Sequence, residues 1–377
     1  MSNTDLKIGF IGVGNAGTQV GIQAYYAGYD TIVLNTSKKD LAEDVLPKEV
    51  LSYVLGDQGR GTGKNRGFAK ETLKGNLTQL FAHPGTISLF ENSDVIVVCA
   101  ATGGGTGSGM SPLLCNRILA SYEDKIVIFY GILPKATESM QTQYNTLECI
   151  NEVHKLGLPY MLADLDKFTD LDDQGAHQKV ANHIITSLNV LRGDKMLMSK
   201  HGMIDERDEM TIISAGGYMA VYTLEGITKA KLDTATMAKM VLNEAKSSAA
   251  ADAQNDKIVK YLGVMVSAPE EFDDPLMKAD FTELYNVMGT PYDTFYNPHI
   301  NNDTKASIAV IVSGMTIPAN RIQDAIDKLT EFENSRKAKE VSVDLNFASF
   351  GKGSITDMSS RKQTRKPASL EDIPDFL

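Results

Sequence analysis

Ala100-Ala101-Thr102-Gly103-Gly104-Gly105-Thr106-Gly107-Ser108-Gly109-Met110 sits at the end of an unbroken apolar run that begins at Val95. Such a run, without polar alternation, reads as a strand buried on both faces. Apolar residues at helical spacing from Met110 to Ala120 read as a helix, so strand, glycine loop and helix succeed one another. Five glycines and two hydroxyls fill the seven positions 103–109. Without Cβ atoms, successive backbone N–H groups can converge on one point, and the helix start behind them adds partial positive charge; together they make an anion site suited to phosphate. No Gly-Lys-Ser or Gly-Lys-Thr closes the loop, so no loop lysine reaches a terminal phosphate as in P-loop proteins. Thr106 and Ser108 offer hydroxyls instead.

A second glycine turn lies near the N-terminus. Leu6 to Ile11 reads as a strand running into Gly12-Val13-Gly14-Asn15-Ala16-Gly17, with a helical pattern through Val20, Ile22 and Ala24. A G-x-G-x-x-G of this kind suggests a dinucleotide fold, whose second strand should end in an acidic residue about 20 positions on. That strand, Thr31 to Leu34, ends in Asn35. The missing carboxylate argues against a nicotinamide-dependent enzyme and leaves a phosphate-cradling turn.

Gly-Gly-Gly-Thr-Gly-Ser-Gly at 103–109 resembles the signature of the tubulin/FtsZ superfamily. The resemblance implies that Gly103, Gly104, Gly105, Thr106, Gly107, Ser108 and Gly109 cradle the phosphates of GTP or GDP, with Mg²⁺ beside them. Gly14-Asn15-Ala16-Gly17-Thr18-Gln19 is similar to the first nucleotide loop of tubulins, which implies Gly14, Asn15 and Ala16 near the phosphates and Gln19 near the base. Asn35-Thr36-Ser37 resembles the next nucleotide-proximal loop of FtsZ and its relatives.

The loop Gly59-Arg60-Gly61-Thr62-Gly63-Lys64-Asn65-Arg66-Gly67 precedes a helical stretch from Phe68 to Phe81. It reads equally as an exposed loop or, by the resemblance, as a sensor of the terminal phosphate. Together with Asn35–Leu41 it makes the chain most like plasmid- and phage-encoded TubZ-type tubulins. Lys125 to Leu133 reads as a further buried strand, and strand ends in an open α/β sheet face the ligand crevice. Glu138 follows it, where the family has a ribose-binding glutamate. The helical pattern from Gln174 to about Leu191 carries Asn182 where the family reads the guanine edge, and an amide offers that edge both donor and acceptor. One turn earlier the family has an aromatic that stacks on the base; here Gln178 or His177 stands instead. Asp205 and Asp208, in Met203-Ile204-Asp205-Glu206-Arg207-Asp208, resemble the superfamily's synergy loop, whose carboxylates act on the nucleotide of a neighbouring subunit. Met203 replaces the family's asparagine. The apolar stretch Thr211 to Ser214 that follows reads as a new strand.

At 377 residues and 42% apolar content the chain exceeds one typical core. No apolar run reaches the length of a membrane span, and Met1 to Lys7 lacks signal-peptide features, so a cytoplasmic protein without membrane insertion is expected. Cys99, Cys115 and Cys149 are odd in number and show no paired spacing, which argues against a disulfide framework and a zinc site. The net charge of −11 disfavours general nucleic-acid binding. From Gly351 the composition turns basic and polar and predicts a disordered tail, ending in Leu370-Glu371-Asp372-Ile373-Pro374-Asp375-Phe376-Leu377, which resembles FtsZ's adaptor-docking peptide.

The expected fold is α/β and tubulin/FtsZ-like: a parallel-sheet nucleotide-binding domain joined by a long central helix to a smaller α/β domain. The expected boundaries are residues 1–175 for the GTP-binding domain, 176–209 for the central helix and synergy loop, 210–348 for the C-terminal domain and 349–377 for the tail. The resemblance implies a GTPase that polymerises head to tail, moves or positions plasmid or phage DNA, and meets an adaptor or protein–DNA complex through its tail. An FtsZ-like division protein is the alternative.

Overall fold

β1 (Ile8–Val13), α1 (Gly14–Tyr26), β2 (Asp30–Asn35) and β3 (Leu51–Val54) open the chain. They are followed by α2 (Arg66–Ala82), α3 (Pro84–Glu91), β4 (Val95–Ala101), α4 (Thr106–Ser121), β5 (Ile126–Leu133), α5 (Met140–Lys155) and β6 (Pro159–Asp164). α6 (Asp173–Leu191) and α7 (Glu206–Ile213) lead into β7 (Gly217–Ile227), α8 (Lys229–Leu232), α9 (Met237–Ser247), β8 (Val259–Pro269), α10 (Thr282–Met288), β9 (Pro291–Asn301), β10 (Ala306–Met315) and α11 (Ala319–Ser342). The structure is a computed structural model and describes residues 6–42, 46–56, 59–193, 206–232, 236–252, 258–272 and 281–342. Described residues up to Phe332 belong to one compact unit.

The strands form one sheet in the order β3-β2-β1-β4-β5-β6-β7-β10-β8-β9. Its first six strands are all parallel. Their order, 3-2-1-4-5-6, is that of a doubly wound sheet, in which the chain reverses its direction of travel between β1 and β4 and opens a ligand crevice at their carboxyl ends. β1 and β4 are in register from Ile8↔Val95 to Val13↔Ala100, so the turns that leave them, at Gly14 and at Ala101–Gly105, emerge side by side. β6 and β7 join in parallel through only Pro159↔Gly217 and Tyr160↔Tyr218. Beyond that seam β10 runs antiparallel to both β7 and β8.

Alternate residues of β4 enter opposite cores, which is why its sequence shows no polar alternation. Ile96, Val98 and Ala100 pack with Leu73, Met110, Leu114, Ile118 and Ile150 from α2, α4 and α5. Val95, Val97 and Cys99 pack with Val20, Ala24, Val180, Ile184 and Leu188 from α1 and α6. The three cysteines are buried and free, and burial pushes each thiol up in pKa, so none is primed as a thiolate.

Two sequence readings change. The charged stretch ending at Asp208 runs into a helix, α7, rather than a turn before a strand: Thr211–Ile213 is its last turn, with Ile212 and Ile213 buried under the sheet. β7 and β9, unassigned individually in the sequence, supply an inner strand and the sheet edge.

Candidate functional site

The two helices that start at the β1/β4 crevice, α1 and α4, both lack a side-chain cap at the N-terminus. Helix starts leave backbone N–H groups without partners, and the macrodipole adds partial positive charge to them. Gly14, with φ 74°, lies so close to the other helix start that a Cβ there would stand 3.1 Å from Gly107 N. Two uncapped helix starts therefore meet at one point, which is an anion site by construction.

The glycines of the 103–109 loop divide into two kinds. A Cβ at Gly103 would strike Thr142, one at Gly105 would strike Thr62 and the backbone of Lys64 and Asn65, and ones at Gly107 and Gly109 would lie 2.8 Å from Ala101 O and 2.7 Å from Arg66 O. Packing alone explains these four. Gly104 has no atom within 4 Å of its Cβ position, so packing within the fold does not require glycine there.

The loop from Gly59 to Arg66 closes over this turn. Gly61 N donates to Thr36 O at 2.9 Å, and Thr106 Oγ1 lies 2.7 Å from Thr36 Oγ1 and 3.4 Å from Thr62 Oγ1. Lys64 is, among the described residues, the one non-glycine with positive φ, at 64°. Backbone held in that region costs an L-residue free energy and is retained where the surroundings enforce it. Its ammonium donates to Thr142 Oγ1 at 2.7 Å and Ser139 Oγ at 3.3 Å, and among the described residues it pairs with no carboxylate.

Two residues that the sequence analysis did not single out hold these loops together. Asn145, buried on α5, sets its amide nitrogen 3.0, 3.1 and 3.2 Å from the carbonyl oxygens of Lys64, Gly103 and Gly104. Arg66, also buried, donates to Ser108 O at 3.0 Å and pairs with Glu152 at 2.8 Å and Glu148 at 3.5 Å; Lys70 pairs with Glu152 at 2.6 Å. Removing one partner of such a buried network typically costs about 3–5 kcal/mol, because it strands the opposite charge. Between residues 63–70 and α5 lies a cavity of about 450 Å³, but no residue of 103–109 lines it.

Of the sequence candidates, Asn15 and Gln19 are exposed one turn apart at the open start of α1, with Ala16 half-buried between them. Asn35 is buried and engaged locally: its Oδ1 accepts from Ser37 N and its Nδ2 donates to Asp40. Ser108 is buried, with its hydroxyl donated to Gly104 O. Glu138 is exposed on the loop after β5, its Oε1 accepting from Lys135 N at 3.2 Å. That loop meets the start of α6 through Lys135 Nζ and Asp173 Oδ1 at 2.8 Å. Asn182, two turns into α6, is exposed and accepts from Gln178 Nε2 at 2.8 Å. His183 is pushed down to about 4, chiefly by burial and then by Lys167, so it is neutral at pH 7. Among the described residues no three His, Cys, Asp or Glu side chains gather as a metal site.

Between the glycine loops and Asp208 the chain runs the length of α6. α6 starts beside the loop after β5, and its Asn189 accepts from Tyr29 OH, just before the start of β2. Nineteen residues of helix span ~28 Å. α7 follows, and its main contacts are with β8 and β10. Asp205 and the C-terminal tail lie outside the described residues.

A 3-2-1-4-5-6 sheet with two glycine turns meeting at its switch point is the architecture of a doubly wound α/β protein with its crevice at those turns. Residues 7–162 match the model of the Tubulin/FtsZ family, GTPase domain. The tubulin-like protein TubZ of Clostridium botulinum C phage is 31% identical over 153 residues, 39% of this chain and 40% of that protein. The tubulin-like protein CetZ of Thermococcus kodakarensis is 28% identical over 187 residues, 46% of this chain and 47% of that protein. The chain thus spans less than half the length of these curated relatives. A GTPγS-form protofilament of Bacillus thuringiensis serovar israelensis TubZ shares the fold with a TM-score of 0.68 and 16% identity, over 91% of this chain and 96% of that one. No described helix is long and apolar enough to cross a membrane.

Proposed function

We propose that this chain binds and hydrolyses GTP and polymerises head to tail, the nucleotide of one subunit completing its catalytic site only against the next. The observation that carries the reading is the meeting of two uncapped helix starts at Gly14 and Gly107, with Gly104 bare beside them. α- and β-phosphates take the N–H groups of both turns. Thr36, Thr62 and Thr106 hydroxyls and the Lys64 ammonium face the terminal phosphate, where Lys64 takes the charge-compensating part that a loop lysine takes in P-loop proteins. Mg²⁺ fits this donor set, because it commonly keeps several waters and phosphate oxygens and needs few protein ligands; the threonine hydroxyls would hold it, and it would neutralise phosphate charge.

Glu138 accepts from the ribose hydroxyls, while Gln19 and Asn182 read the guanine. Asp208, with Asp205 beside it, serves the neighbouring subunit by orienting the attacking water. A heterologous contact that does not close generates a filament, and the TubZ protofilament is an instance of such assembly in a protein of the same fold. The domain boundaries read from the sequence belong to the same proposal.

Within this class we favour a filament that segregates or positions plasmid or phage DNA, on the strength of the phage TubZ similarity. An adaptor or protein–DNA complex is the proposed partner of the basic tail. An FtsZ-like division role is the second reading, favoured by the last eight residues.

Guanine recognition tests the nucleotide assignment. The protein is expected to bind GTP more tightly than ATP. Asn182→Ala should weaken GTP by ~1–3 kcal/mol, leaving ATP unchanged, because a buried base edge loses its partner. Equal titration of the native protein by GTP and ATP would sink the assignment.

A further inference from the structure

Three successive carbonyls of the loop after β5 accept hydrogen bonds from side chains: Pro134 from Arg321, Lys135 from Gln143 and Ala136 from Lys328. Two of the three donors stand on α11, 187 and 192 residues from their acceptors. Arg321 and Lys328 are two helical turns apart, so one face of α11 presents both. Arg321 Nε also donates to Asp164 Oδ2 at 2.9 Å, in a pair that is 12% and 7% exposed. Burial raises the pKa of Asp164, and Arg321 opposes that shift. The same loop is tied on its other side by Ala136 N donating to Asp166 Oδ1 at 2.9 Å.

This clamp bears on function through one further bond. Lys135, the middle residue of the three, donates its backbone N–H to Glu138 Oε1. The direction of the Glu138 carboxylate is therefore set by a peptide whose neighbours on both sides are gripped by α11.

We propose that Arg321 and Lys328 are positioning residues for the sugar of the bound nucleotide: they hold residues 134–136 so that Lys135 N–H aims Glu138 at the ribose hydroxyls. The inference rests on the ribose role proposed for Glu138. It makes nucleotide affinity depend on a helix that contributes no group to the nucleotide. Charge-assisted bonds to carbonyls are stronger than neutral ones, which suits them to fixing a loop that has no ladder of its own.

The test uses the full chain titrated with GTP, GDP and 2′,3′-dideoxy-GTP, which lacks the hydroxyls Glu138 would accept from. Wild type is expected to prefer GTP to the dideoxy nucleotide. Arg321→Ala should weaken GTP and GDP alike by about tenfold and the dideoxy nucleotide much less. Arg321→Lys, which keeps a cation opposite Asp164, should recover part of the loss. Glu138→Ala should lose the same preference, and adding Arg321→Ala to it should cost little more. Should Arg321→Ala fail to fold, Lys328→Ala, which removes one bond from a half-buried side chain, must show the same pattern at smaller amplitude. A folded Arg321→Ala or Lys328→Ala variant with the native GTP to dideoxy-GTP ratio overturns this proposal alone. A wild-type protein that does not bind GTP overturns the nucleotide reading beneath it.

Discussion

Asp208→Ala is expected to bind GTP and assemble, yet turn GTP over at least about 100-fold more slowly than the native chain, the usual scale for losing a group that positions or deprotonates the attacking water. Its filaments should be static and long-lived, because the step that weakens the subunit contact no longer occurs. The expectation follows from where the chain carries this carboxylate. α6 runs from the loop after β5 to Tyr29, just before β2, and α7, with Asp208 in its first turn, comes after it. In the proposed head-to-tail filament, the α7 end of one subunit would cover the crevice of the next. Alanine suits a helix interior, so α7 itself should persist. Phosphate release and electron microscopy on the same sample check both halves. Asp208→Ala filaments that hydrolyse GTP at the native rate would remove Asp208 from the mechanism.

Gly105→Ala is expected to abolish measurable GTP binding while the sheet stays folded. The added methyl would fall on Thr62 Oγ1 and within 2.8 Å of Asn65 N and of the Lys64 carbonyl carbon. Thr62 can rotate away, but the other two atoms are backbone, and that backbone is fixed by Asn145 at Lys64 O and by Gly61 N at Thr36 O. The 59–66 loop must therefore lift from the crevice and take Lys64 and Thr62 with it. Gly75→Ala, in open space on α2, is the matched control and should bind as wild type. Native affinity in Gly105→Ala, measured by calorimetry, would show that this loop takes no part in the site.

The glycine turns, the doubly buried β4, α4 and α6 were legible in the sequence because each leaves a local signal: glycine density, missing polar alternation, or a repeat of 3.6 residues. β9 left none. It carries Pro291, Pro298 and several half-exposed polar residues, which suits an edge strand bonded only to β8 but breaks any apolar period. α7 is eight residues long, too short for its period to repeat convincingly. The clamps escaped for a different reason. Asn145 and Arg66 act on residues 41 to 86 positions away, and Arg321 on residues 157 and 187 away. Such pairings exist only once the sheet order is known. Asn35 and Ser108, named as ligand groups through the family resemblance, have side chains engaged in local hydrogen bonds that no sequence pattern announces. Lys64 belongs to the loop that the sequence left open between an exposed loop and a sensor of the terminal phosphate; its ammonium donates to Thr142 and Ser139 of the neighbouring segment.

Turnover as a function of protein concentration tests the central claim most directly. With GTP saturating, phosphate release per subunit should be near zero in dilute monomer and rise steeply above a threshold concentration that coincides with the appearance of filaments by light scattering. Constant turnover per subunit through dilution to monomers would contradict the account, since a chain that hydrolyses GTP alone needs no carboxylate from its neighbour.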